Sequence, residues 1–282
     1  MALKIFGKNQ QKEQTTAIIA VAAGKGGVGK SAVTANLAHA LYRLGYSVGV
    51  LDADLYGPSM RMMLPEDLMP EQRGGKIFPA VSHGIKCLSM AHFKTDGDAV
   101  VVRAPIANGM IVQFLSQVEW GDLDFLLIDF PPGTGDIQMT LAQRARLTGA
   151  LLVTTPQQVA VLDVKKCMTM FDKLQVPILG IVENMAYYME SGGSKAYPFG
   201  GDGGKNLAED TGQLFLGEIP LHPLIGKLLD QGRSLFESAG REAEELQSIF
   251  LKLAENAATE SDRIKAEDAS VLGSFQLIWR EM

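Results

Sequence analysis

Short, uninterrupted apolar runs recur along this chain. Each ends in glycine, proline or acidic residues and is followed by a longer stretch with helical spacing. The first run, A-I-I-A-V-A-A at 17–23, has no polar residue on either face. A half-buried strand would alternate, so the run predicts a strand covered on both sides. Similar runs at 47–53, 124–130 (D-F-L-L-I-D-F), 150–155, 178–183 and 214–219 predict further strands, with shorter ones at 85–90 and 99–103. Apolar residues three and four apart predict helices at 30–44, 106–118, 137–145, 160–174 and 205–211, with a closing helix at 242–257. Gly45 is the stop signal of the first helix. Residues 55–76 hold Pro58, Pro65, Pro70 and a Gly74-Gly75 pair, and read as loop with at most one short helical turn. Residues 189–204, with six glycines and one proline, also read as loop.

Strands that are apolar on both faces and alternate with helices imply an α/β fold, a mostly parallel twisted sheet covered by helices on both faces. No repeat or composition break interrupts the pattern before about residue 258. The expected organisation is an N-terminal extension at 1–16, one domain at 17–258 and a tail at 259–282. Val271, Leu272, Phe275, Ile278, Trp279 and Met282 recur in the tail at helical spacing, as in an amphipathic helix. The tail carries five acids against three bases. Anionic membranes favour basic helices, so docking on the body is preferred to membrane binding.

Composition narrows the function. With 282 residues and a net charge of −6, the chain lacks the electrostatics of a non-specific nucleic-acid binder, and no nucleic-acid partner is expected. Its two cysteines, Cys87 and Cys167, form no C-x-x-C pair and fit a reducing compartment. Residues 1–16 lack a signal peptide's long apolar region, and no run is long enough to span a bilayer. The cytoplasm is the expected location.

The first strand runs into Gly24-Lys25-Gly26-Gly27-Val28-Gly29-Lys30-Ser31, which matches G-x-x-x-x-G-K-[ST] between a strand and a helix, the context this phosphate-binding loop requires. Glycines let backbone N–H groups curl around a phosphate, and the helix N-terminus adds partial positive charge. Lys30 is placed for the β- and γ-phosphates of ATP, and the Ser31 hydroxyl for Mg2+. Asp129 ends an apolar strand as a Walker B carboxylate does, towards the loop and its metal. Asp52 and Asp54 end a second strand as D-A-D; alternation puts both on one side of it. Asp54 is assigned to activating water and Asp52 to the metal shell, with capping or turn roles as the alternatives. Pro131-Pro132-Gly133-Thr134-Gly135-Asp136 suits a switch segment beside the γ-phosphate, or a plain rigid loop. The Asn184 amide follows another strand and could read an adenine edge or cap a chain end.

The loop's second lysine, Lys25, resembles the deviant Walker A of the ParA/MinD/ArsA ATPases. In that group the early lysine crosses a dimer interface to the partner's nucleotide, so the resemblance implies a homodimer. Longer strings narrow it further: D-A-D-L-Y-G-P-S at 52–59, L-L-I-D-F-P-P-G-T-G-D-I-Q-M-T-L-A-Q at 126–143, V-T-T-P-Q-Q-V-A-V-L-D-V-K-K at 153–166, G-I-V-E-N-M-A-Y-Y at 180–188 and F-L-G-E-I-P-L at 215–221. Together they resemble the Mrp/ApbC family of iron–sulfur cluster carrier and assembly ATPases, from about residue 16 to about residue 240. The resemblance implies that Asn184 and the backbone of Ile219, Pro220 and Leu221 surround the adenine. It also implies iron–sulfur client or scaffold proteins as partners.

Three departures qualify that resemblance. Many members carry C-P-x-C where this chain has Glu190-Ser191-Gly192-Gly193, and two such pairs bridge a 4Fe–4S cluster in a dimer. Thiolates hold such clusters, so none is expected on this loop. Cys167 lies among the helical apolar positions Val164, Met168 and Phe171, and Cys87 within a strand, so both are expected in the core. The four histidines show no metal-ligand spacing. Ala32 replaces the family's usual threonine, removing a hydroxyl near the α-phosphate. With the loop starting at Gly24, the small N-terminal domain of many members is not expected. The expected function is an ATP-hydrolysing factor in iron–sulfur cluster assembly or transfer, with a MinD/ParA-type positioning or partition ATPase as the alternative.

Overall fold

The computed structural model describes residues 16–54, 57, 59–93, 104–190 and 192–280, with backbone alone at 90, 104–108 and 268–280. The strand expected at 99–103 lies outside the described residues. In chain order the elements are β1 (Ala17–Ala22), α1 (Lys30–Arg43), β2 (Val48–Asp52), α2 (Met60–Met63), β3 (Glu71–Arg73), β4 (Lys76–Phe78), β5 (Ala80–Ser82) and β6 (Ile85–Ser89). There follow α3 (Ala104–Gln117), β7 (Phe125–Asp129), α4 (Asp136–Arg144), β8 (Gly149–Thr154), α5 (Gln158–Lys173) and β9 (Ile178–Asn184). The chain continues through β10 (Tyr188–Met189), β11 (Lys195–Ala196), α6 (Gly203–Thr211), β12 (Phe215–Ile219), α7 (Pro223–Asp230) and α8 (Arg241–Arg280).

Eight strands form one sheet in the order β12-β9-β8-β1-β7-β2-β6-β5, parallel throughout except β5, which runs antiparallel to β6. The period-two geometry of a strand splits its residues between two cores. Ile19 and Val21 of β1, Leu127 of β7 and Val153 of β8 face the layer made by α1, α7 and α8. Ala20, Ile128 and Leu152 face the layer containing α4, α5 and α6. This two-sided burial explains why the strand sequences show no polar alternation. From β1 the chain crosses to β2 on one side, and it later places β8 on the other. Ligands of open α/β sheets gather at such a reversal, beyond the carboxyl ends of the strands.

Three expectations change. The stretch at 55–76 contains α2 and an antiparallel β3–β4 hairpin as well as loop. Glu71, Gln72 and Arg73 are all exposed, so no apolar alternation marked the strand. Within 189–204, a two-residue β10–β11 ladder pairs Tyr188 with Ala196 and Met189 with Lys195. The closing helix runs without a break from Arg241 to Arg280, joining the helix expected at 242–257 to the helical spacing expected in the tail, whose apolar side chains from 271 onward lie outside the described residues. Its buried residues Ala243, Leu246, Phe250, Leu253, Ala257, Ser261 and Ile264 recur at three and four, so the stripe continues past 257.

Candidate nucleotide site

Every group of interest lies at the carboxyl ends of the central strands. The loop after β1 is shaped by contacts only glycine permits. A Cβ on Gly24 would stand 2.1 Å from the backbone carbon of Asp163, in α5. A Cβ on Gly29 would stand 2.2 Å from the Asn184 amide nitrogen, and Gly29 has φ 82°, in the left-handed region. Gly26 and Gly27 are exposed, Gly24 and Lys25 half-buried, and Val28 and Lys30 buried. The curled backbone and the N-terminus of α1 therefore present one cradle, as a phosphate requires.

Asp129 stands across that cradle, wholly buried at the end of β7. Lys30 Nζ lies 2.7 Å from its Oδ1. Ser31 Oγ donates to Oδ2 at 2.6 Å, and Thr34 Oγ1 donates to Oδ1 at 2.8 Å. The cation, the hydroxyl and the carboxylate named in the sequence are thus brought together around one point. Lys25 makes no hydrogen bond or ion pair with any of the described residues.

The D-A-D string behaves differently from simple alternation. Strand β2 stops at Asp52, which registers with Asp129 on one side and Ser89 on the other. The chain then turns, and the Asp54 backbone N–H donates to Asp52 Oδ1 at 3.1 Å. Asp52 also accepts from Ser89 Oγ at 2.9 Å and from the Met60 N–H at 3.3 Å. Burial, and then the neighbouring Asp129 charge, push its pKa up to about 7. Asp52 is thus a buried post that ties down the start of α2. Asp54 is half-buried in the turn beyond the strand, where its Oδ1 accepts the Gly57 N–H at 3.1 Å.

The remaining named residues frame an apolar cavity of about 470 Å³ beside the loop. Gly29, Ala32, Asn184 and Pro220 line it together with Val33 and Phe250. Its size suits a small organic ligand. Asn184 donates one amide hydrogen to the Val28 carbonyl at 2.8 Å, so it braces the loop from below. On the opposite flank, the Gln138 amide donates to the Pro132 carbonyl, and the Cys167 thiol to the Gly133 carbonyl at 3.5 Å. These two fix the 131–135 segment. The residues present fit a magnesium–nucleotide: a glycine cradle, one cation, one hydroxyl and a buried carboxylate converge beside an apolar wall.

Four contributors escaped the sequence reading. Thr34 carried a usable signal, because it follows Lys30 by four residues and so shares its helix face. Ser89 and Gln138 act across strands and turns, where no local pattern points to them. Glu183 is buried and accepts the Gly204 N–H, holding the start of α6. Both cysteines are buried, as their positions suggested, and burial pushes Cys87 up to about 12 and Cys167 to about 11. Neither is a thiolate near neutral pH. Among the described residues, no cluster of three His, Cys, Asp or Glu side chains is arranged to hold a metal ion. Among the same residues, no helix is long and apolar enough to cross a membrane.

This fold and this loop define a P-loop NTPase of the MinD/ParA type. A family model described as ParA, NUBPL iron-transfer P-loop NTPase, matches residues 14–258, and the chain belongs to that family. It is 46% identical over 246 residues to the iron-sulfur cluster carrier protein of Salmonella typhimurium, covering 86% of this chain and 66% of that one. The chain thus spans just under two thirds of that relative's length. Among solved structures it resembles the nucleotide-binding protein of Archaeoglobus fulgidus in complex with ADP (TM-score 0.69, 39% identity, 81% of this chain and 90% of that one). It also resembles the septum site-determining protein MinD of Pyrococcus horikoshii complexed with Mg-ADP (TM-score 0.62, 25% identity, 86% and 95%).

Proposed function

We propose that this chain binds and hydrolyses ATP with Mg2+, works as a homodimer and serves iron–sulfur cluster assembly or transfer without a cysteine-bridged cluster of its own. The observation that carries the reading is the convergence of Lys30, Ser31 and Asp129 on one glycine cradle. Membership of an iron-transfer family supplies the cellular role. Backbone N–H groups of residues 24–31 would hold the phosphates, Lys30 would turn from Asp129 to the β/γ oxygens, and Asn184 and Pro220 would border the base. Bound Mg2+ would neutralise phosphate charge, with Ser31 and Asp129 beside it and Asp52 supporting from behind. Asp54, in the turn next to the cradle, would orient a water and take its proton. Lys25, half-buried with no partner among the described residues, would reach the nucleotide of a second copy.

The cluster-free part of the reading rests on chemistry. Glu190 and Gly193 offer one hard carboxylate and no side-chain ligand, a poor match for iron–sulfur clusters. The two thiols are buried in the cores of the sheet. Likeness to MinD supports the alternative of a positioning ATPase through the fold. The test is ATP hydrolysis measured alone, with anionic vesicles and with DNA, together with anaerobic incubation in iron and sulfide followed by iron counting. Slow hydrolysis indifferent to both surfaces, with no stoichiometric iron, is expected. Stimulation by either surface would favour the positioning reading. A stable cluster lost on Cys87→Ala or Cys167→Ala would show that the site had moved.

A further inference from the structure

Asp129 is held by three donors, and two of them are ones the proposed reaction takes away. Lys30 Nζ and Thr34 Oγ1 both meet Oδ1, at 2.7 and 2.8 Å, while Ser31 Oγ meets Oδ2 at 2.6 Å. On the reading above, Lys30 turns to phosphate and Ser31 to the metal when nucleotide binds. Asp129 is wholly buried, so its carboxylate depends on the donors packed against it. Asp52, its registered neighbour on β2, is acidic and offers no compensating cation.

Thr34 is placed otherwise. It sits one helical turn after Lys30, wholly buried, with its hydroxyl within 3.0 Å of the Lys30 carbonyl as well as 2.8 Å of Asp129. A hydroxyl has one hydrogen to share between those two acceptors. The Lys30 carbonyl already takes the Thr34 backbone N–H in the i to i+4 ladder of α1, so the helix does not depend on the hydroxyl. When Lys30 leaves Oδ1, the Thr34 hydrogen becomes the donor that remains on that oxygen. We propose that Thr34 is a positioning residue: it keeps Asp129 aimed at the metal in the nucleotide-bound state, and so sets the affinity for Mg2+ rather than for nucleotide. This rests on the proposed reading of the cradle as a magnesium–nucleotide site. Outer-shell partners of metal-binding carboxylates characteristically carry about 10- to 100-fold in metal affinity.

The test separates metal from nucleotide. ADP affinity is measured by calorimetry in chelator, and Mg2+ is then titrated into the ADP-saturated protein. Three chains are compared: native, Thr34→Val, which keeps the branched shape and loses the hydroxyl, and Thr34→Ser, which keeps the hydroxyl. The expected result is metal-free ADP affinity within about twofold for all three. Mg2+ affinity should fall about tenfold or more in Thr34→Val and return towards native in Thr34→Ser. Unchanged Mg2+ affinity in Thr34→Val overturns the proposal, as does an equal loss of metal-free ADP affinity, which would mark a merely structural hydroxyl. A native chain that takes no ADP at all would instead overturn the nucleotide-site reading beneath it.

Discussion

Two loops leave the same edge of the sheet, one after β1 and one after β9, and they are built in opposite ways. The first is held at both of its ends. Gly24 lies against the α5 backbone, Gly29 against Asn184, and Lys30 in contact with Asp129. The second projects from Asn184 through Tyr187 into the β10–β11 hairpin. It is held at its base by the Ala186 N–H on the Ile219 carbonyl, at 3.0 Å, and the Leu221 N–H on the Tyr187 carbonyl, at 2.7 Å. Lys195 clips it sideways, 3.7 Å above the Tyr187 ring and 2.7 Å from Glu218. At its tip the Gly193 N–H closes a turn on the Glu190 carbonyl at 2.9 Å, and the Ser194 hydroxyl donates to the Glu190 carboxylate at 2.6 Å. Gly24 and Gly29, at the two ends of the first loop, make room for neighbours, while Gly26 and Gly27 between them curl in open space. Glycine at the tip of the second makes a turn in open space, since a Cβ on Gly192 or Gly193 would meet nothing within 4 Å. The lesson is that glycine content does not distinguish the two loops; what packs against their ends does.

The largest effect should come from Lys30→Ala. It leaves Asp129 buried without its cation, which costs about 3–5 kcal/mol in the nucleotide-free protein. It also removes the charge facing the phosphates. Denaturant unfolding and nucleotide titration should both register the loss, and near-native nucleotide affinity would remove Lys30 from the site. Asp54→Asn should keep Mg-ATP binding while the turnover rate drops about 10²–10⁴-fold. A change below about threefold would move the role to another residue, with Asp52 next in line.

The two kinds of glycine can be set against each other directly. Gly24→Ala drives a methyl into backbone that cannot yield, and should destabilise by about 1–3 kcal/mol and impair nucleotide binding. Gly192→Ala should stay within about 0.5 kcal/mol of native. Equal effects by thermal unfolding would dissolve the contrast. A cysteine graft probes the second loop alone. Glu190→Cys with Gly193→Cys restores the family's ligand spacing, but Gly193 has φ 82°, where a side chain costs roughly 1–2 kcal/mol. Anaerobic reconstitution should therefore give some bound iron where the native chain gives none, with a small loss of thermal stability. No iron at all in the graft would mean that this loop's turn differs from the family's cluster loop in more than its ligands.

Much of this was legible in the sequence because it is local. The apolar runs at 17–23 and 124–130 announce strands buried on both faces, and the spacing of Gly24, Gly29, Lys30 and Ser31 carries its chemistry within one strand-to-helix turn. The long closing helix was legible in part: helical spacing marks both 242–257 and the tail, and the burial of Ala257, Ser261 and Ile264 shows them to be one helix. The short hairpins were not, since strands of two or three exposed polar residues leave no periodic trace.

What only tertiary structure decided are the relations between segments far apart in the chain. Sequence placed Asp52 and Asp54 on one side of a strand. The registration of β2 between β7 and β6 buries Asp52 between Asp129 and Ser89 and leaves Asp54 in a turn. Sequence offered Asn184 for an adenine edge or a cap, and packing sets its amide against the Val28 carbonyl. Local pattern suffices for an element, because its hydrogen bonds and its buried face repeat within a few residues. A buried carboxylate's protonation, partners and reach are set by whichever strands the topology lays beside it, and that information is spread over the whole fold.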